Sequence, residues 1–290
     1  MNRSPLTETR AILGEGPVWH DGRLVWIDIE GRKVFVHDPA GLTDQTIGLT
    51  ERIGCVWPCA GSGRLVCGLQ SGLAYLDPAS GQLEVIADPE PDQPRTRFND
   101  GKCDPLGRLW AGTMDMEETE ALGSLYMLTG DGQVVRQGAS ITVANGLAWD
   151  PDGETFYHID SPTRVVAAYD YEAATGKLSN RREIIPIPDV EGFPDGMTID
   201  SEGKLWIALW GGWGVVRYDP KTGERLGKID LPAEKVTSCT FGGDDLDELY
   251  ITTALIGLGT SALEDQPSAG GLFKVKVGVP GLPATPFTGG

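Results

Sequence analysis

Of the 290 residues, 40 are glycine, about twice the usual ~7% share, and 20 are proline, so the chain is dense in turns and poor in long helices. Lysine and arginine number 24 against 42 aspartates and glutamates, a net charge of −18 with no basic run, which argues against nucleic acid or an anionic membrane as a partner. No stretch approaches the ~18 apolar residues of a membrane span, and no apolar segment follows Met1-Asn2-Arg3-Ser4-Pro5, so a soluble, cytoplasmic protein with no membrane partner is expected.

A short β-type run preceded by a turn recurs six times. The turn His20-Asp21-Gly22 leads into Arg23-Leu24-Val25-Trp26, and a further β segment follows at 34–39. Gly61-Ser62-Gly63 leads into Arg64-Leu65-Val66-Cys67, then 73–78. Asp104-Pro105-Leu106-Gly107 leads into Arg108-Leu109-Trp110-Ala111, then 125–128. Asp150-Pro151-Asp152-Gly153 leads into Thr155-Phe156-Tyr157-His158, then 165–170. Asp200-Ser201-Glu202-Gly203 leads into Lys204-Leu205-Trp206-Ile207, then 215–220. Gly242-Gly243-Asp244-Asp245 leads into Glu248-Leu249-Tyr250-Ile251, then 272–277. Proline presets φ and glycine supplies φ > 0, so these turns join antiparallel neighbours.

The marker positions 24, 65, 109, 156, 205 and 249 lie 41, 44, 47, 49 and 44 residues apart. A repeat near 45 residues with about four strands is the mark of a propeller blade. The sequence therefore predicts an all-β fold, a six-bladed β-propeller formed as a single domain over 1–290. Residues 6–12 are expected to add an outer strand to the last blade and close the ring. A β-sandwich gives no reason for six equal units, and a helical solenoid would need a sustained 3.6-residue period that is absent.

In a propeller the first strand of each blade lines the central channel. Nine to eleven residues before each marker stand Glu15, Cys55, Asn99, Asn145, Asp195 and Ser238. Glu15, Asn99, Asn145 and Asp195 are oxygen donors arriving from different blades. Two carboxylates and two amides neutralise a divalent ion, and all-oxygen ligation suits hard cations such as calcium, magnesium or manganese without selecting among them. The alternative is that Asn-Gly and Asp-Gly here are simple turn dipeptides.

Loops 113–123 and 254–270 overhang the same mouth, and the first carries Asp115, Glu117, Glu118 and Glu120. Such a run also suits a solvated surface. Arg97 fits either the site or a surface ion pair, Trp210 and Trp213 could form an aromatic wall, and Trp206 reads as packing. Five cysteines without a CxxC pair read as buried thiols, and three scattered histidines argue against a His-rich zinc site. GxSxG, Walker A and GxGxxG motifs are all absent.

The motifs Gly14-Glu15-Gly16-Pro17, Arg97-Phe98-Asn99-Asp100-Gly101-Lys102, Ala111-Gly112-Thr113-Met114, Asn145-Gly146-Leu147, Ile159-Asp160-Ser161, Pro194-Asp195-Gly196-Met197 and Phe241-Gly242-Gly243 resemble the regucalcin (senescence marker protein)/gluconolactonase family from about residue 13 to 273. The resemblance implies a six-bladed propeller with one divalent metal in its channel and hydrolysis of a sugar lactone such as glucono-, xylono-, arabinono- or galactonolactone. It implies that Glu15, Asn145 and Asp195 ligate the metal, that Arg97, Asn99 and Glu117 contact the substrate, and that Asp195 is the catalytic proton donor and acceptor. The cation implied is calcium, magnesium, manganese or zinc, and the partner is a small sugar lactone, with oligomeric state undetermined. Two features depart from the pattern or subdivide it: Phe98 stands where the family often has proline, which is expected to reshape the sugar pocket, and Leu209-Trp210-Gly211-Gly212 looks more like the bacterial sugar lactonases than animal regucalcin. The competing readings are a propeller phosphotriesterase or aryl esterase and a non-catalytic calcium-binding propeller.

Overall fold

Each turn identified in the sequence joins the first and second strands of one antiparallel sheet. The computed structural model describes residues 4–41 and 43–290. Its first blade holds β1 (Gly14–His20), β2 (Arg23–Asp28), β3 (Lys33–Asp38) and β4 (Thr43–Gly48), and the second holds β5 (Ile53–Pro58), β6 (Leu65–Leu69), β7 (Gly72–Leu76) and β8 (Leu83–Ala87). The third comprises β9 (Thr96–Cys103), β10 (Leu109–Asp115), β11 (Gly123–Leu128) and β12 (Val134–Ile141), and the fourth β13 (Ala144–Trp149), β14 (Thr155–Asp160), β15 (Val165–Glu172) and β16 (Lys177–Pro186). The fifth has β17 (Phe193–Ile199), β18 (Leu205–Trp210), β19 (Gly214–Tyr218) and β20 (Arg225–Asp230), and the sixth β21 (Val236–Gly242), β22 (Glu248–Thr253) and β23 (Phe273–Lys276). The single short α-helix among the described residues, α1 (Thr260–Asp265), lies in the long loop between β22 and β23.

The first strands β1, β5, β9, β13, β17 and β21 pack side by side in that order, and β21 returns to β1, closing a six-bladed β-propeller. All six marker residues fall on second strands. Burial explains the regularity: first and second strands are apolar on both faces because each blade is covered by two others, whereas outer strands such as β16 and β20 are largely exposed.

The sixth blade has three ladder strands, not the expected four. Leu6 N–H donates to Leu272 O at 2.6 Å and Ala11 N–H to Gly270 O at 2.8 Å, so the N-terminal segment lies against residues 270–272, just ahead of β23. It forms no ladder because the Arg10 guanidinium bonds the carbonyls of Thr7 and Thr9 and holds the intervening residues in a bend.

On the face opposite the mouth, the C-terminal segment crosses several blades. Gly281 N–H donates to Leu246 O, Ser201 N–H to Pro280 O, Phe287 N–H to Pro58 O and Thr288 N–H to Gly107 O, at 2.8–2.9 Å. Phe287 is fully buried among residues of the second blade. All five cysteines are buried free thiols. Burial pushes those of Cys55, Cys59 and Cys239 up to about 12, so they stay protonated. Among the described residues no helix is long and apolar enough to cross a membrane.

Candidate active site in the central channel

A β-bulge interrupts the ladder between the first and second strands of every blade, at or beside the six positions counted from the repeat. The register shifts at Glu15–Val18, Ile53–Cys55, Asn145–Leu147, Pro194–Met197 and Val236–Ser238, and Asn99 is the extra residue between Phe98 and Asp100. A bulge bends its strand and re-aims a side chain. At the fourth blade Gly146 makes this possible, with φ of +34° and the position of a Cβ only 2.9 Å from Asp195 O, which a larger residue could not adopt without strain.

Aspartates at the ends of second strands hold these bulges from the mouth side. Asp28 accepts the N–H groups of Ile12 and Leu13 just ahead of Glu15, as well as that of Gly31 in the turn after β2, and Asp160 accepts those of Thr142 and Val143 just ahead of Asn145. Both aspartates stand four residues after their markers, Leu24 and Phe156. That recurrence in the repeat was a usable signal for them.

Glu15, Arg97, Asn99, Asn145 and Asp195 converge on one cavity of about 190 Å³ at the mouth of the channel. Each is at least nine-tenths buried. Polar groups form a continuous chain of hydrogen bonds along part of its wall. Arg97 Nη1 donates to Asn99 Oδ1 at 2.7 Å, Asn99 Nδ2 to Asn145 Oδ1 at 3.1 Å, Asn145 Nδ2 to Ser161 Oγ at 2.8 Å, and Ser161 Oγ–H to Pro194 O at 2.6 Å. Ser161 belongs to the Ile159-Asp160-Ser161 motif, yet its role as the anchor of the Asn145 amide emerges only from the fold.

Apart from Glu118, the remaining wall is apolar and includes Leu13, Met114, Val143, Phe193 and Trp210. Trp210 carries Lys235 Nζ 4.7 Å from its ring centre, Trp213 is 41% exposed outside the cavity lining, and Trp206 is buried with its indole N–H on Asp200. Phe98 does not line the central cavity. Side chains alternate along a strand, so Arg97 and Asn99 face the cavity while Phe98 turns into the packed interface between the second and third blades, beside Tyr126.

Burial raises the carboxyl pKa values of Glu15 and Asp195 above the ordinary range. Proximity raises them further, since Asp100 acts on Glu15 and both Glu15 and Asp100 act on Asp195. The two carboxyls are near enough for one to hydrogen-bond the other. Burial likewise pushes the Arg97 guanidinium down to about 10, leaving it charged at neutral pH.

The acidic loop is organised around Asp115. Burial pushes its carboxyl up, but N–H groups of Glu120, Glu117 and Thr119 together with the Arg95 guanidinium hold it well below the usual carboxylate range. Arg95 also pairs with Glu117 at 3.3 Å and Glu120 at 2.8 Å. Glu117 is consequently turned out of the cavity lining, and its neighbour Glu118, at φ of +56°, lines the cavity instead.

The donor chemistry fits a divalent cation: two buried carboxylates of like charge, neither paired with lysine or arginine among the described residues, share a cavity with an amide oxygen. No group of three His, Cys, Asp or Glu side chains among the described residues is placed to hold a metal, and the other oxygen donors that share the cavity with Glu15 and Asp195 include the amides of Asn145 and Asn99.

The profile described as SMP-30/Gluconolactonase/LRE-like region matches residues 13–255. Regucalcin of Danio rerio is 43% identical over 282 residues, covering 96% of this chain and 95% of that one. A Bacillus subtilis protein named "Putative sugar lactone lactonase YvrE" is 39% identical over 97% of both chains. The crystal structure of regucalcin from Agrobacterium tumefaciens, described as a calcium-binding protein, superimposes with a TM-score of 0.93 at 30% identity, covering 98% of this chain and 96% of that one. With matches that span nearly its whole length and a shared six-bladed architecture, the chain belongs to the SMP-30/gluconolactonase/LRE-like family.

Proposed function

We propose that the protein hydrolyses a sugar lactone to its aldonic acid in the central cavity. One observation carries this reading: Glu15 and Asp195 are buried together, burial raising the proton affinity of both and the Glu15 charge raising that of Asp195 further, beside a chain of fixed amide and guanidinium donors. Family membership and the name of the Bacillus relative support the same activity.

Glu15, Asn145 and Asp195 would hold one divalent cation, calcium, magnesium, manganese or zinc, which supplies Lewis-acid polarisation of the lactone carbonyl when bound. Asp195 takes a proton from the attacking water on a carboxylate oxygen and returns it to the departing ring oxygen. The new bond joins the water oxygen to the acyl carbon, and the ring C–O bond breaks. Arg97 donates to a lactone oxygen while Asn99 holds its guanidinium in place. Of the two neighbouring glutamates, Glu118 is assigned the role of accepting from a sugar hydroxyl, because Glu117 could reach the substrate only by releasing Arg95.

The apolar wall built from Met114, Phe193 and Trp210 favours a second reading, hydrolysis of an aryl ester or phosphotriester, whose substrates present few hydroxyls. The two are separated by following acid release in a pH-stat from aldonolactones, aryl esters and phosphotriesters. Chelated protein is used with single metals restored and spontaneous hydrolysis subtracted. Acceleration of an aldonolactone, abolished in Asp195→Asn, supports the first reading; acceleration of only the others supports the second. A folded, metal-loaded protein that accelerates none is a non-catalytic binder.

A further inference from the structure

A larger hollow of about 490 Å³ lies on the mouth face beside the central cavity, and Arg97 lines both. Its walls come from the turn between β6 and β7, from the linker 88–95 between the second and third blades, and from the ends of β9 and β10. All of these lie at the end of the blades where the substrate would enter.

The two volumes suggest a division of labour. Pockets that enclose a drug-sized ligand are typically about 300–1,000 Å³. At about 190 Å³ the central cavity falls below that range and suits one small ring, whereas the 490 Å³ groove has room for another.

The lining chemistry identifies what that second ring would be. Gln70, Ser71 and Gln93 bring groups that both donate and accept, and Arg32 and Arg97 stand against Glu51, Asp88 and Glu90. A lone anion would meet three carboxylates, and a greasy group would strand all of these polar atoms. A neutral ring bearing several hydroxyls satisfies donors and acceptors together.

Pro89, Pro91 and Pro94 stiffen the linker by fixing φ, so the groove is formed in advance. Glu90 ties it to the central cavity. Its Oε1 accepts from Thr113 Oγ1 at 3.0 Å and Tyr126 OH at 2.9 Å, and Thr113 directly precedes Met114 in the cavity wall. Its Oε2 is buried with no hydrogen-bond partner, which leaves one carboxylate acceptor unused in the groove wall.

We infer that this groove is an outer carbohydrate subsite, which binds a neutral polyhydroxylated ring joined to the lactone in the central cavity, so that the preferred substrate is a glycosyl-extended lactone. The inference rests on the lactonase reading above. The ester hydrolysed is the same one, and the outer ring contributes only binding.

The experiment compares kcat/KM for glucono-1,5-lactone with that for cellobiono-1,5-lactone and its (1→6)-linked isomer, in the wild type, Glu90→Gln and Gln93→Ala. Gln93 is on the exposed linker, so its variant remains informative if Glu90→Gln fails to fold. The expected result is at least a tenfold preference for one extended lactone, falling at least fivefold in a folded groove variant. Equal kcat/KM for plain and extended lactones, or a preference the variants leave intact, overturns the subsite while leaving the lactonase reading in place. If none of these is hydrolysed, nor xylono-, arabinono- or galactonolactone, the lactonase reading is overturned; the groove is then judged by calorimetric titration with cellobiose, where binding weakened by Gln93→Ala upholds a carbohydrate site and absence of binding removes it.

Discussion

Asn99 Nδ2 donates to Asn145 Oδ1 at 3.1 Å across the junction of the third and fourth blades, and this bond links the arginine of the site, through Asn145 and Ser161, to the carbonyl of Pro194 next to Asp195. Asn99 also receives Arg97 on its own Oδ1, so one amide orients two functional groups. Asn99→Ala is expected to lower kcat/KM for the lactone on the order of 10²-fold by letting Arg97 drift. Leaving its buried partners unsatisfied should also cost about 1–3 kcal/mol of stability. Steady-state kinetics and denaturant unfolding of the variant check both.

Removing divalent cations should lower stability as well as activity. If the cation binds only the folded state, restoring it at one hundred times its Kd adds about 2.7 kcal/mol, a rise of a few degrees in Tm. The rise should vanish in Glu15→Gln and Asp195→Asn. Melting curves of chelated protein with each metal added back measure it, and an unchanged wild-type Tm would rule out a cation site on these residues.

The loop around Asp115 yields a sharper comparison. Glu118→Gln should raise KM for a hydroxylated lactone about tenfold, the value of one good hydrogen bond to a charged group. Glu117→Gln should change it less than about twofold, since its partner Arg95 keeps Asp115 and Glu120. The reverse ranking would move the substrate contact to Glu117.

Acid lability is expected from His158, which lies outside the lining of the central cavity. Burial pushes its imidazole down to about 4 and Arg181 adds to the shift, while its Nε2 has no partner. The unfolded chain therefore binds the proton more tightly than the folded one. Stability from the neutral ring is complete above about pH 6.5 and is lost as pH falls toward 4, by about 3 kcal/mol in all. Glu15, Asp100 and Asp195, whose pKa values are raised, act in the opposite sense, so the test is the difference between wild type and His158→Gln. Denaturant midpoints between pH 7 and 4.5 should converge as the pH drops.

Much of this architecture was legible because the repeat is physical as well as textual. Leu24, Leu65, Leu109, Phe156, Leu205 and Leu249 recur because each second strand is buried on both faces, and counting from them reached the bulge in every blade. What stayed hidden depended on contacts distant in sequence. Arg95 decides which glutamate of the acidic loop turns inward, and no spacing rule encodes that. Ser161 matters because Pro194 of the next blade stands within reach of its hydroxyl. The missing outer strand near residue 8 is a local effect of the Arg10 side chain, which outweighs the tendency of an edge to pair. Phe98, expected from the sequence to reshape the sugar pocket, is turned away from the central cavity, an outcome that strand alternation beside Arg97 accounts for.

The six bulges have a consequence for how such a site changes over time. Each one lets the strand below keep its register whatever side chain the bulge presents, so chemistry at the mouth is separable from the packing that holds the blades together. Four of these mounts carry Glu15, Asn99, Asn145 and Asp195; the other two carry Cys55 and Ser238, both buried beside the same channel. Neither lines the cavity as it stands, so a longer oxygen donor at either position would have to extend into it from a blade that contributes no lining residue. The ring thus offers a fixed set of interchangeable positions from which a different reaction could be assembled on an unaltered frame.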